Sequence, residues 1–363
     1  MNLSPPIDMR EVTRLTRAGK LGEALRALQG RRSETPPAAP AVDAAPSAQG
    51  FSRAHRLISG LAKAGVTRPG GLVARQAKAP PVPEGARFET RSFANAAGSR
   101  DYKVYVPSRH AGESLAVVVM LHGCTQDPDD FAAGTRMNEV AEERGFLVVY
   151  PCQPQSANLQ KCWNWFNASE QRRDAGEPSL IAGIAREVVA AFCADPARVY
   201  VAGLSAGGAA AAVLAATYPD LFAAVGVHSG LACGAARDMP SAFAAMNGGG
   251  VAAPRTGQLV PTIVFHGDAD KTVNPVNGEQ VMAQVSPKAE LTETATQGTT
   301  PDGMAYTRRV YTGAGGALVG ERWTLHDAGH AWSGGSPEGS YTAPRGPDAS
   351  REMARFFLSH ARR

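Results

Sequence analysis

A serine with glycine two residues to either side stands at Gly203-Leu204-Ser205-Ala206-Gly207, between the apolar run Val199–Ala202 and an alanine-rich stretch. This is a G-x-S-x-G arrangement in the setting the motif requires: a predicted strand enters it and a predicted helix leaves it. Glycines at such a corner let the backbone turn too sharply for a side chain, so Ser205 at the apex points away from the sheet. A serine hydroxyl is a poor nucleophile near neutral pH and needs an adjacent base. In the chain order serine, acid, histidine, two downstream segments qualify. "PTIVFHGDADKTVNP" ends a strand with Asp268 and Asp270 in the loop beyond, and "HDAGHAWSGG" puts His330 in a glycine-flanked loop before the last helix. Asp270 is favoured as the acid because it leaves a longer loop from the strand end, and Asp268 is expected to cap the turn. Of the eight histidines, His330 alone combines the required order with a glycine setting.

Acyl transfer also needs two backbone donors for the oxyanion. "VVVMLHGCTQ" ends a long apolar strand in His122-Gly123-Cys124, where Gly123 lets the turn tighten and the Cys124 amide can point inward. The amide of Ala206, next to the nucleophile, is the expected second donor. His122 is read as a brace for the loop rather than a proton carrier. The run His266-x-Asp268-x-Asp270 has metal-ligand residue types, but no second cluster accompanies it, so no metal and no cofactor is expected.

These residues must be positioned by regular elements. Arg87–Phe93 and Tyr102–Pro107 read as a hairpin, and Leu115–His122 is a continuous apolar run, as in a strand buried on both faces. Thr135–Arg144 is a predicted helix, Phe146–Tyr150 a strand, Leu180–Cys193 a helix, Val199–Ala202 a strand and Ala206–Thr217 a helix. Ala223–His228, Thr262–His266 and Arg322–His326 are further strands, and Arg351–Ala361 closes as a helix. Strands alternating with helices predict an α/β fold with a mostly parallel central sheet covered on both faces. In such sheets the chemistry gathers at the carboxyl ends of the strands.

Before residue 86 the pattern differs. Residues 9–29 repeat apolar positions at helical spacing, broken at Gly19; "ETPPAAPAVDAAPSAQG" reads as a flexible linker, and Phe51–Leu61 as a short helix. The division expected is a basic extension over 1–85 and a catalytic domain over 86–363. Residues 1–80 carry 13 Lys and Arg against 5 Asp and Glu, the remainder 24 against 28. Basic charge on a tail beside a mildly acidic domain argues against nucleic-acid binding, which needs a charged folded face. The longest apolar runs are too short to cross a bilayer. No apolar core of a secretory signal follows Met1, so the sequence as it stands predicts a cytoplasmic protein. The five cysteines fit no zinc spacing.

The combination LHGCTQ, YPCQ, CWNWF, GLSAGG, HSG, FHGDADKTVNP and GHAWSGG resembles the PHB depolymerase family of esterases over roughly residues 86–360. The resemblance implies the α/β-hydrolase fold, with Ser205 as nucleophile, Asp270 as acid, His330 as base, and Cys124 and Ala206 at the oxyanion positions. It implies ester substrates: short-chain poly(3-hydroxyalkanoate) or its oligomers, with feruloyl or acetyl xylan esters as the alternative and an amide substrate as a more distant one. It also allows a bridge between Cys124 and Cys162, although in a reducing compartment both would be small thiols. Trp163, Trp165 and Trp332 can wall an apolar cleft or pack their loops on the sheet; Trp332 and Trp163 are placed ahead of Trp165 as wall residues. Two departures from secreted depolymerases, the basic arm in place of a leader and a chain stopping at Arg363 after the closing helix, favour soluble oligomers, stored polymer or short esters. A non-enzymatic alternative has the arm dock on a polymer granule or partner, with the hydrolase domain as scaffold.

Overall fold

Continuous apolar runs dominate the centre of the chain, and in the computed structural model they become the middle strands of a ten-stranded sheet. The structure describes residues 80–250, 258–285 and 291–362; the expectations made for residues 1–79 lie outside it. The strands are β1 (Arg87–Asn95), β2 (Gly98–Val106), β3 (Ala116–Leu121), β4 (Phe146–Pro151), β5 (Val199–Leu204), β6 (Ala224–His228), β7 (Thr262–Gly267), β8 (Thr292–Thr299), β9 (Ala305–Thr312) and β10 (Leu318–Leu325). Their spatial order is β1-β2-β4-β3-β5-β6-β7-β10-β9-β8. From β4 to β10 every neighbouring pair is parallel, and antiparallel strands extend the sheet at both sides.

Strand alternation divides the core into two layers. Val117, Val119 and Leu121 face a cluster with Ile181, Ile184 and Val188 of the helix α3 (Gly176–Ala191), whereas Ala116, Val118 and Met120 face one containing Met353, Phe356 and Phe357. The latter three belong to the final helix α7 (Ala349–Leu358). The alanine-rich helix α4 (Ala206–Thr217) is buried from Ala206 to Ala215, which is why it carries no polar face. With helices on both faces, each central strand can be apolar throughout, as the sequence predicts.

The structure departs from sequence expectation where no strong period exists. The helix expected over Thr135–Arg144 is α2 (Met137–Arg144), and an unpredicted helix, α1 (Pro128–Thr135), precedes it, the two divided at Arg136 with φ 56° and ψ 25°. Asp127 caps α1 by accepting the Asp130 N–H, and Pro128 follows at the first helical position, so local start signals rather than an apolar period mark this helix. The helices α5 (Met239–Gly248) and α6 (Val276–Val285) and the β8–β9 hairpin were not foreseen. β8 reads TETATQGT and is exposed along nearly its whole length, so it lacks the apolar alternation that marks a half-buried strand.

Candidate active site

The elbow at Ser205 is a product of close packing between backbones. Ser205 has φ 57° and ψ −118°, a conformation that costs an L-residue about 1–3 kcal/mol. A Cβ on Gly203 would lie 2.3 Å from the Gly207 carbonyl carbon, and one on Gly207 would lie 2.0 Å from the Leu121 oxygen. Only glycine allows the first turn of α4 to press against the ends of β5 and β3. The strain is held from below, where the Ser205 N–H donates to the His228 carbonyl at 2.9 Å.

Because β5, β6, β7 and β10 are adjacent and parallel, the loops that leave them emerge on one edge. Asp270 lies three residues past β7 and His330 five past β10. They meet: His330 Nδ1 is 2.7 Å from Asp270 Oδ2. The Asp270 side chain is fully buried and His330 retains a small exposed edge, 0% against 11%. Burial alone would raise the Asp270 pKa. Hydrogen bonds from His266 and His330 and the Val273 N–H outweigh it, holding the carboxyl well below its ordinary value. The Thr272 and Val273 amides donate to its other oxygen at 2.8 and 2.9 Å, and His266 Nε2 approaches at 3.5 Å. A fixed anion at Nδ1 assigns the proton to that nitrogen and leaves Nε2 free to act as a base.

His228, ending β6, joins the elbow to the histidine loop. Its carbonyl takes the Ser205 N–H, and its ring Nε2 accepts the Ser333 N–H at 3.1 Å, three residues beyond His330. The ring is stacked between Phe265 and Trp332, with centroids 5.7 and 5.1 Å away. Burial, reinforced by the neighbouring His266 and His330, pushes its pKa down to about 3, so it works as a neutral acceptor. The supporting contacts of His228 and His266 are not legible in the sequence, although both residues stand at the ends of buried strands.

The loop after β3 is equally constrained. The N–H groups of Gly123, Thr125 and Gln126 donate to Gln126 Oε1, the Gln160 carbonyl and the Gly123 carbonyl. Cys124 supplies the fourth amide of this run, while Ala206 supplies the first N–H of α4, which has no intrahelical acceptor. A Cβ on Gly123 would be 3.5 Å from the Leu204 carbonyl, so the two segments are in contact next to Ser205. His122 braces the turn: Nε2 accepts the Gln153 N–H at 3.1 Å and Nδ1 faces the Gly123 carbonyl at 2.8 Å. Its burial lowers the ring pKa to about 4. Cys124 and Cys162 form a disulfide, tying this loop to the CWNWF segment.

The tryptophans divide differently from expectation. Trp163 and Trp332 are both 0% exposed, so neither can wall an open cleft. The Trp163 indole N–H donates to the His122 carbonyl at 3.0 Å, and that of Trp332 to Ser350 Oγ at 3.1 Å. They pack their loops onto the sheet. Trp165 lies nearer the elbow, in an apolar cluster with Phe166, Ala206, Leu231 and Val273, against which Cys124 and Cys162 pack. The His266-x-Asp268-x-Asp270 run does not converge: His266 turns to Asp270, whereas Asp268 pairs with His326.

A mostly parallel sheet with a strained serine between β5 and α4 is the α/β-hydrolase fold. Consistent with this, an acetyl xylan esterase from Aspergillus awamori superposes with a TM-score of 0.54 at 21% identity, covering 67% of this chain and 94% of that one. The family model described as Esterase PHB depolymerase matches residues 100–299, and the chain belongs to that family. Among its relatives, poly(3-hydroxyalkanoate) depolymerase C of Paucimonas lemoignei is 33% identical over 68% of this chain and 61% of its own length. Feruloyl esterase B of Neurospora crassa is 32% identical over 60% of this chain and 78% of its own. Acetylxylan esterase A of Talaromyces purpureogenus is 31% identical over 50% and 52%.

Proposed function

We propose that this protein is a serine esterase in which Ser205, His330 and Asp270 carry an acyl-enzyme cycle on short-chain poly(3-hydroxyalkanoate) or its oligomers. The observation that supports it most is the 2.7 Å contact of His330 with the buried Asp270, on the same sheet edge as the Ser205 elbow. His330 Nε2 takes the Ser205 proton as Oγ attacks the ester carbonyl, and the Cys124 and Ala206 amides donate to the oxyanion. The imidazolium, stabilised by Asp270, then protonates the departing alcohol as the acyl-enzyme forms. Water enters by the same route: His330 takes its proton, the hydroxyl adds to the acyl carbon, and Ser205 leaves reprotonated with release of the acid.

A second reading, acetyl xylan or feruloyl ester hydrolysis, is favoured by relatives of nearly equal identity that bear those names. A panel of 3-hydroxybutyrate oligomers, p-nitrophenyl butyrate, acetylated xylan and methyl ferulate, run with wild type and Ser205→Ala, separates the two. Ser205→Ala is expected to lower turnover of the preferred ester at least ~1000-fold. Turnover within tenfold of wild type in that variant would refute the mechanism, and preference for acetylated xylan or ferulate would refute the substrate.

A further inference from the structure

Two aspartates, two residues apart after β7, each meet a histidine after β10. Asp270 meets His330, and Asp268 Oδ2 meets His326 Nδ1 at 2.8 Å. The second pair is on the surface, with side chains 40% and 37% exposed, and touches nothing that the ester mechanism uses. Its far end is anchored: His326 Nε2 lies 2.9 Å from Oγ1 of Thr307, which is buried on β9. Asp268 Oδ1 also accepts the Asp327 N–H at 2.7 Å. Between the two pairs the loops are joined by backbone bonds from Asp268 N to the Leu325 carbonyl (3.0 Å) and from Ala269 N to the Ala328 carbonyl (3.1 Å). The approach is so close that a Cβ on Gly267 would fall 2.2 Å from the Ala328 oxygen.

We propose that Asp268, His326 and Thr307 form a clasp that sets the register of the acid loop against the base loop, and so positions His330 on Asp270. They are positioning residues, and the proposal rests on reading Ser205, His330 and Asp270 as the catalytic group. The physical reason is the weakness of a two-loop construction. His330 sits five residues beyond β10, in a segment containing Gly329, with its catalytic contact at the far end. A displacement of about 1 Å in such a group costs up to ~100-fold in rate. The clasp ties the near end of that segment through three side chains from β9 and the two loops. The chemistry of the three groups gives the clasp a direction: the Asp268 carboxylate can only accept, so it takes the Nδ1 proton of His326, and Nε2 faces the Thr307 hydroxyl.

The test uses the full chain and p-nitrophenyl butyrate. His326→Phe keeps the ring's bulk and removes both hydrogen bonds, whereas His326→Gln can still donate to Asp268 and accept from Thr307. His326→Phe is expected to lower kcat by about 10- to 30-fold with KM within about twofold, and to shift the low-field proton resonance of the His330 Nδ1–H. His326→Gln is expected to keep at least a third of wild-type kcat. Asp268→Ala should match His326→Phe, with the double variant losing no more than about threefold beyond either single change, because the two act as a unit. Wild-type kcat in folded His326→Phe, equal damage in the Gln variant, or fully multiplicative losses would each overturn the clasp. If His326→Phe does not fold, the Asp268→Ala and His326→Gln results decide alone. Ser205→Ala, run alongside, isolates the underlying reading: retained turnover there removes the nucleophile and the clasp with it. Abolished turnover there, with normal kcat in His326→Phe, removes only the clasp.

Discussion

Replacing Asp270 by asparagine tests the centre of the site with almost no change of volume. The native carboxylate accepts from three groups, His330 Nδ1 at 2.7 Å and the Thr272 and Val273 amides at 2.8 and 2.9 Å, while His266 Nε2, which faces the Val273 carbonyl at 2.9 Å, stands 3.5 Å away. Asparagine offers a single accepting oxygen, and the two amides of the turn hold it. Its NH2 group then faces His330 Nδ1, which can accept only if the ring proton moves to Nε2. A protonated Nε2 cannot take the Ser205 proton, so the base is lost although every atom stays near its place. The expected fall in kcat is about 10⁴-fold, the size seen when a serine-hydrolase acid is made neutral, or roughly 5 kcal/mol of barrier. The fold should persist, because the two turn hydrogen bonds survive and the volume is unchanged. Single-turnover hydrolysis of p-nitrophenyl butyrate beside thermal melts measures both quantities. A loss below tenfold in a folded Asp270→Asn variant would refute the assignment of the acid and the tautomer argument with it.

Two further outcomes follow from the same geometry. The disulfide closes a separation of 38 residues, for which loop entropy gives about 4 kcal/mol; reduction should lower the unfolding free energy by up to that amount and depress kcat as the Cys124 loop loosens. Guanidinium unfolding and initial rates, each with and without reductant, check it, and identical curves would contradict it. His122 and His228, with pKa values held at about 4 and about 3, stay neutral in the folded protein but take protons below pH ~6.5 once unfolded. The unfolded state therefore binds more protons as pH falls, and stability should drop between pH ~6.5 and ~4 by about 1 kcal/mol per histidine per pH unit. Asp270, whose folded pKa is depressed, adds a loss in the same direction below pH ~4. Urea unfolding across pH 7.5 to 4.5 measures the slope, and a flat profile would be inconsistent with two buried neutral rings.

Legibility differed by segment, for identifiable reasons. The strands β3 to β7 were readable because burial on both faces demands uninterrupted apolar residues. The elbow was readable because its glycines mark contacts that no side chain fits. The hairpin of β8 and β9 was not, since an exposed edge strand obtains its stability from pairing with its neighbour rather than from a buried face. Arg136, with its left-handed backbone between two helices, carries no glycine to announce the break. For Trp163 and Trp332, composition allowed either a cleft wall or a loop support, and only the partners of their indole N–H groups distinguish the two.

The amino-acid order by itself determined which residue types stand where chemistry can occur: a serine at a glycine corner, acids after one strand and a histidine after another. Loop length favoured Asp270 over Asp268 as the partner of His330, but only the tertiary structure brought the two together and gave Asp268 a histidine of its own, His326, because the two acids are chemically equivalent and differ in where the turn aims them. Pairing across sixty residues depends on sheet order and loop packing, and neither is encoded in any local stretch.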